Sequence, residues 1–245
     1  MATNVKWPEP DLTFTADKLD SGKVLAEGDT YYVYRLGDFV VKTGAGIRMA
    51  EALTMKAVRE LTTIPVPEVL NAYENEDEDG YECTIVMRFV EGEVLETAWN
   101  RMTPGEKSSI IQQLEFYMTQ LDEGYGPYKD EAAFHEGIIK AIRKIKKGGF
   151  TEMVAGFIRA LSTDHKIVLT HGDLAPRNIL VHEGEVVAIL DWEMSGYYPE
   201  YWEYHKAYYP PHWDSSWFRR LVMDKSLKPF PLENAVLLHA RKIYL

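Results

Sequence analysis

The chain has a single cysteine among its 245 residues, Cys83, so no intrachain disulfide can form. Its apolar neighbours Ile85, Val86 and Met87 mark a buried strand thiol rather than a nucleophile, and the scarcity of cysteine suits a reducing, intracellular compartment. Positive charge is also short. Lys and Arg number 27 against 38 Asp and Glu, a formal net charge of -11, which repels phosphate backbones and anionic lipid over most of the surface and argues against nucleic acid as a partner. No apolar run approaches the length that spans a bilayer, and Met1 to Phe14 is polar, with Pro8 and Pro10 and no apolar signal core. The expectation is a soluble, cytoplasmic protein with no membrane partner. Internal repeats, low-complexity linkers and glycine-rich G-x-G-x-x-G or Walker motifs are absent too.

What is there is a folded chain, 46% apolar and 12% aromatic, in two contrasting parts. Lys23 to Glu27, Tyr31 to Leu36 and Phe39 to Lys42 read as strands, punctuated at Gly28-Asp29 and Gly37-Asp38. Ile47, Ala50, Leu53, Ala57, Val58 and Leu61 recur at helical spacing ahead of Ile64-Pro65-Val66-Pro67. Val69 to Tyr73 and Glu82 to Phe89 read as two more strands around the acidic run Glu74 to Gly80, a solvated hairpin tip. Helices dominate afterwards. Thr103-Pro104-Gly105-Glu106 is a capping box with proline at the first helical position, and amphipathic patterns follow over about 131–146 and 151–161, parted by Lys146-Lys147-Gly148-Gly149. Ile167 to Thr170, Ile179 to Val181 and Val186 to Leu190 return to strand, and the last two form a short hairpin inserted in the helical part. The reading is an α+β protein of two lobes, 1–88 with a five-stranded antiparallel sheet plus one helix and 89–245 mainly helical.

Polar groups gather where those late strands end. His171-Gly172-Asp173-Leu174-Ala175-Pro176-Arg177-Asn178 has the spacing H-x-D-L-x-x-x-N of a kinase catalytic loop, in which the Asp takes or orients a hydroxyl proton and the Asn ligates a metal. Asp191 closes the following hairpin, where that pattern puts the principal Mg ligand. Phosphoryl transfer relies on positioning and on neutralising phosphate charge with hard cations held by oxygen donors, and these side chains supply them. In the first lobe, Lys42 ends an apolar strand and Glu51 lies in the next helix, within reach of an ion pair. Gly28, in the first hairpin turn, offers one backbone approach to phosphate. Met87, Phe89 and Val90 lie at the lobe boundary, where backbone groups in an apolar slot could pair with adenine.

Through HGDLAPRNIL, ILDW, VVKTG, EAL, IPVPEVL and MRFVEGEVL, in that family's order and over most of its length, the chain resembles the aminoglycoside phosphotransferase and choline kinase group, especially its fungal members. The resemblance implies a protein-kinase-like fold that uses ATP and Mg, with Asp173 as base, Asn178 and Asp191 as metal ligands, and Lys42 with Glu51 at the phosphates. The segment from Leu121 to Phe134 is shorter than its counterpart in those sequences. The expected activity is ATP- and Mg-dependent phosphorylation of a hydroxyl on a small molecule, and the net charge would suit a cationic one. Tyr197 to Tyr204 offers aromatic and acidic groups either to such a substrate or to the core. Two alternatives stay open: binding of a nucleotide or metabolite without phosphotransfer, and an enzyme of another class that reuses the cleft.

Overall fold

A computed structural model describes residues 5–77, 80–121, 128–208 and 225–244. The chain divides into two compact units, Met1–Ala98 with Arg177–Met194 and Trp99–Pro176 with Ser195–Leu245.

The first unit holds a short exposed helix α1 (Ala16–Asp20) and strands β1 (Lys23–Gly28), β2 (Tyr31–Leu36) and β3 (Phe39–Gly44), then helix α2 (Met49–Leu61) and strands β4 (Val69–Asp77) and β5 (Gly80–Arg88). These strands form one antiparallel sheet in the order β1-β2-β3-β5-β4. The β2–β3 turn is short because Gly37 adopts a φ of 61°, a left-handed conformation that costs glycine nothing. Residues 78 and 79 of the acidic run lie outside the described residues.

Strand β3 has a partner on either side, and residues 41–44 are all buried. Period-2 alternation sends Val41 to one face and Lys42 to the other. Ala52, Met55 and Val58 of α2 are buried, as are Val41, Ile85, Val86 and Leu70 of the sheet. Cys83 is fully buried, and that burial pushes its thiol up to about 11, as expected of a packing residue.

The late hairpin corrects the sequence reading. Strands β8 (Ile179–His182) and β9 (Glu185–Ile189) belong to the first unit and not to the helical part. A two-residue strand β6 (Glu93–Val94), followed by helix α3 (Leu95–Ala98), adds an edge to the hairpin by pairing with β8 through Glu93–Val181 and Val94–Leu180. Ile189 N–H also donates to the Pro65 carbonyl at 2.8 Å. The first unit thus extends to Ala98, beyond the boundary expected near residue 89, and takes the hairpin back from later in the chain. The hairpin turn itself is tight, with Glu183 at φ 50° and Gly184 at φ 83°, the pair of positive angles that a two-residue type I′ turn needs.

The second unit is mainly helical. It contains α4 (Pro104–Met118), α5 (Glu131–Ile145), α6 (Gly149–Ala160), α7 (Tyr201–Ala207) and α8 (Pro231–Tyr244), with a two-stranded ribbon of β7 (Ile167–Thr170) and β10 (Gly196–Pro199). The capping box at α4 is complete: Glu106 N–H donates to Thr103 Oγ1, and Thr103 N–H donates to Glu106 Oε2 at 2.7 Å. Ile139 and Ile142 of α5, Val154, Ala155 and Ile158 of α6, and Ala240 and Ile243 of α8 form one buried cluster. Between α5 and α6, Lys146 ends one helix and Gly148, at φ 137°, caps the start of the next, so the glycines open α6 as well as stopping α5.

Candidate active site

Within the first unit, β3 and α2 bring Lys42 and Glu51 together. Lys42 Nζ donates to both Glu51 oxygens at 2.9 Å, with the Lys42 and Glu51 side chains only 9% and 2% exposed. The same ammonium donates to Asp191 Oδ1 at 2.9 Å and lies 3.7 Å from Glu193 Oε2. Burial opposes the charge on Lys42, but Glu51 and Asp191 outweigh it and hold its pKa above the ordinary lysine range. For Glu51, burial pushes the carboxyl up while Lys42 pulls it down.

Asp191 is delivered by the β8–β9 hairpin. Ile179 pairs with Ile189, and Leu190 N–H donates to the Asn178 carbonyl at 2.7 Å, so Asn178 and Asp191 flank the open end of one ladder. Asp191 holds a φ of 63°, a left-handed conformation that costs a non-glycine residue roughly 1–2 kcal/mol. The fully buried Trp192, whose indole N–H donates to the Ile189 carbonyl at 3.0 Å, anchors the next turn against that strain. Anchoring Trp192 turns Asp191 and Glu193, on either side of it, toward Lys42. Glu51, Asp191 and Glu193 thereby each offer an oxygen within 4.8 Å of the others, and the Lys42 ammonium is the cation that they share. The sequence reading did not single out Glu193, although its place two residues beyond Asp191 was the available signal.

Other expected contributors fare differently. A Cβ on Gly28 would lie 2.5 Å from the Tyr31 ring, so the residue's smallness accommodates that ring. The close backbone approach in this turn is made by Gly44, at φ 141°, where a Cβ would lie 2.3 Å from the Thr30 carbonyl oxygen. Met87 is buried in β5. Phe89 N–H already donates to the Asp38 carbonyl at 2.8 Å, and its ring lies 3.6 Å beneath the Arg35 guanidinium. The Phe89 N–H is therefore committed, whereas Val90, half-buried, follows the end of the strand.

In the second unit, the loop after β7 is shaped by a residue that the motif reading missed. Glu203 of α7 is buried, and its Oε2 accepts from the backbone N–H of His171 at 2.5 Å and of Gly172 at 3.1 Å. His171 is wholly buried, and its Nδ1 accepts the Asp173 N–H at 3.2 Å. Gly172 holds a φ of 77°. One carboxylate and one imidazole thus fix the backbone that carries the half-buried Asp173. Around Glu203 the aromatic run serves packing: Tyr201 is fully buried with its hydroxyl 2.8 Å from His135 Nε2, and Tyr198 stacks on Trp202 beside Phe134. Residues 122–127 of the short Leu121 to Phe134 segment lie outside the described residues.

The sequence-family model described as the phosphotransferase enzyme family matches residues 25–226. No curated protein matches the chain. Among solved structures, a thermostable mutant of aminoglycoside phosphotransferase APH(4)-Ia with AMP-PNP and hygromycin B superposes with a TM-score of 0.65 at 16% identity, covering 89% of this chain and 83% of that one. The streptomycin–ATP complex of APH(2")-IIa gives a TM-score of 0.60 at 13% identity over 95% and 87% of the two chains. The GDP complex of aminoglycoside 2'-phosphotransferase-IIIa gives 0.59 at 19% over 90% and 80%. The shared architecture is the protein-kinase-like fold.

Proposed function

Since the chain belongs to the phosphotransferase enzyme family, we propose that it transfers the γ-phosphoryl group of ATP, with Mg, to a hydroxyl of a small molecule in the cytoplasm. The observation that carries this reading is the buried Lys42 ammonium held by Glu51 and Asp191. A cation so placed, beside oxygen donors on the same unit, has the chemistry for a polyphosphate and its counterion. AMP-PNP, ATP and GDP in the similar structures support a nucleotide as donor.

In this account Lys42 engages the nucleotide phosphates while Glu51 keeps it extended and charged. Asn178 and Asp191 hold Mg, with Glu193 adjacent, and Mg when bound neutralises phosphate charge. Asp173 accepts the proton of the acceptor hydroxyl as that oxygen bonds to the γ-phosphorus and the bond to the ADP oxygen breaks. Glu203 is a positioning residue, acting through the loop amides. Gly28 in the first hairpin turn, together with Met87, Phe89 and Val90, contributes the remaining nucleotide surroundings, with the Val90 amide in place of the committed Phe89 amide. An acceptor bearing both hydroxyl and amino groups suits the net charge of -11.

The test is ADP release by the purified chain over a panel of hydroxylated acceptors, neutral and cationic, beside Asp173→Asn. At least one acceptor should raise ADP release, and the variant should lose turnover while keeping nucleotide affinity within a few-fold. Nucleotide binding with no turnover on any acceptor would favour a binding role, and an undiminished Asp173→Asn would remove Asp173 from the reaction.

A further inference from the structure

Helix α6 carries more apolar surface than its own unit buries. Thr151, Val154, Ala155 and Ile158 face inward, the last three in one cluster with α5 and α8. A second face is tied to α5, where Arg143 Nε meets Glu152 Oε1 at 2.9 Å and Arg159 Nε meets Glu136 Oε1 at 2.7 Å. At about 100° per residue, the remaining arc presents Phe150, Met153, Gly156, Phe157 and Ala160, all exposed and none charged. Phe150, Met153 and Phe157 are 40%, 45% and 46% exposed, and Ile145, at the end of α5, is 55% exposed.

Beside this arc lies the main concentration of positive charge in an acidic chain. Residues 140–147 comprise Lys140, Arg143, Lys144, Lys146 and Lys147 with no acidic residue. Arg143 is committed to Glu152, while Lys140, Lys144, Lys146 and Lys147 are exposed and pair with no carboxylate among the described residues. The Arg143–Glu152 pair joins the last turn of α5 to the first turn of α6, so Lys144, Lys146 and Lys147 lie at the junction where the apolar arc begins.

We propose that this corner docks on an anionic phospholipid surface, the lysines meeting headgroup phosphates while Ile145, Phe150, Met153 and Phe157 enter the headgroup boundary. Aromatic and aliphatic side chains flanked by lysines are the combination that holds a helix in the plane of such a surface. The contact is peripheral, because no helix among the described residues is long and apolar enough to cross a membrane. The net charge of -11 is spread over the whole chain, and since fields at physiological salt fade within about 8 Å, the charges near the contact decide. A second copy fits less well. A helix of 12 residues with three large exposed side chains falls short of the roughly 800 Å² per partner that a stable interface buries.

The experiment is sedimentation of the full chain with vesicles of phosphatidylcholine alone and of phosphatidylcholine with about 30% phosphatidylserine. At physiological salt, partitioning onto the anionic vesicles should exceed the neutral value by at least ~10-fold and weaken as salt is raised further. It should drop by ~100-fold in Lys144→Glu/Lys146→Glu/Lys147→Glu, and substantially in Met153→Glu, with ATP binding unchanged in both. The lysine variant lies at an exposed helix end and junction, so it remains informative if Met153→Glu folds poorly. Absence of binding, equal binding to both vesicles, or full binding by the lysine variant would overturn the proposal. A concentration-dependent dimer lost in Met153→Glu would assign the face to a second copy and overturn it as well.

Discussion

Replacing Lys42 with Met removes the ammonium that Glu51 and Asp191 share and leaves both carboxylates in place. At 2.9 Å and an effective dielectric constant near 20, each ion pair is worth about 6 kcal/mol before the cost of desolvating the charges. The two carboxylates respond differently: Asp191, with its side chain 35% exposed, rehydrates, whereas Glu51, at 2%, cannot. Breaking a buried pair by removing one partner costs about 3–5 kcal/mol, and most of that loss here falls on Glu51. Urea unfolding at pH 7 should therefore show Lys42→Met destabilised by about 3 kcal/mol, with Lys42→Met/Glu51→Met recovering most of the loss because no buried charge is left unpaired. The deficit should also shrink as pH falls. Without Lys42, burial raises the folded-state pKa of Glu51 above its unfolded value, so the folded state binds the extra proton and regains stability on acidification. A deficit under about 1 kcal/mol at pH 7, or one that grows toward pH 5, would exclude an unpaired buried Glu51 as the source of the loss.

Two further perturbations probe the second unit. Glu203→Ala leaves the His171 and Gly172 amides without their acceptor, so kcat should fall by about 10–100-fold with nucleotide affinity nearly unchanged, and Glu203→Gln should restore part of it through the retained carbonyl oxygen; loss of nucleotide binding instead would point to general misfolding. His205, buried and 3.0 Å from Asn234 Oδ1, is pushed down to about 4 by burial, so the unfolded state binds more protons and stability falls as pH drops from about 6.5 toward 4, by about 3 kcal/mol in all; His205→Gln should flatten that part of the pH profile, and an identical slope in the two proteins would exclude His205 as its source.

Local signals revealed much of this architecture. The strands of the first sheet, the α2 periodicity and the Thr103–Glu106 box are patterns of neighbouring residues, and they appear where expected. Membership of the late hairpin was not legible, because it depends on β6, a two-residue strand about 85 positions earlier whose short run carries no periodic signal. The Lys42–Glu51 approach followed from a strand and helix in succession, and the Asn178–Asp191 proximity from a hairpin. Glu203 was hidden for a different reason: its role lies in backbone hydrogen bonds made 31 and 32 residues away, and a carboxylate in an aromatic run looks the same whether it packs or caps a loop. Nor does a strand pattern disclose that the Phe89 amide is already bonded to Asp38.

As proposed, Lys42 and Asp191 form a Mg-dependent nucleotide site. Calorimetric titration of the parent and of Asp191→Ala with a non-hydrolysable ATP analogue, with and without Mg, tests it most directly. The parent should bind the analogue, more tightly with Mg, and Asp191→Ala should lose that Mg dependence. No binding to the folded parent, or Mg-enhanced binding that survives in Asp191→Ala, would contradict it.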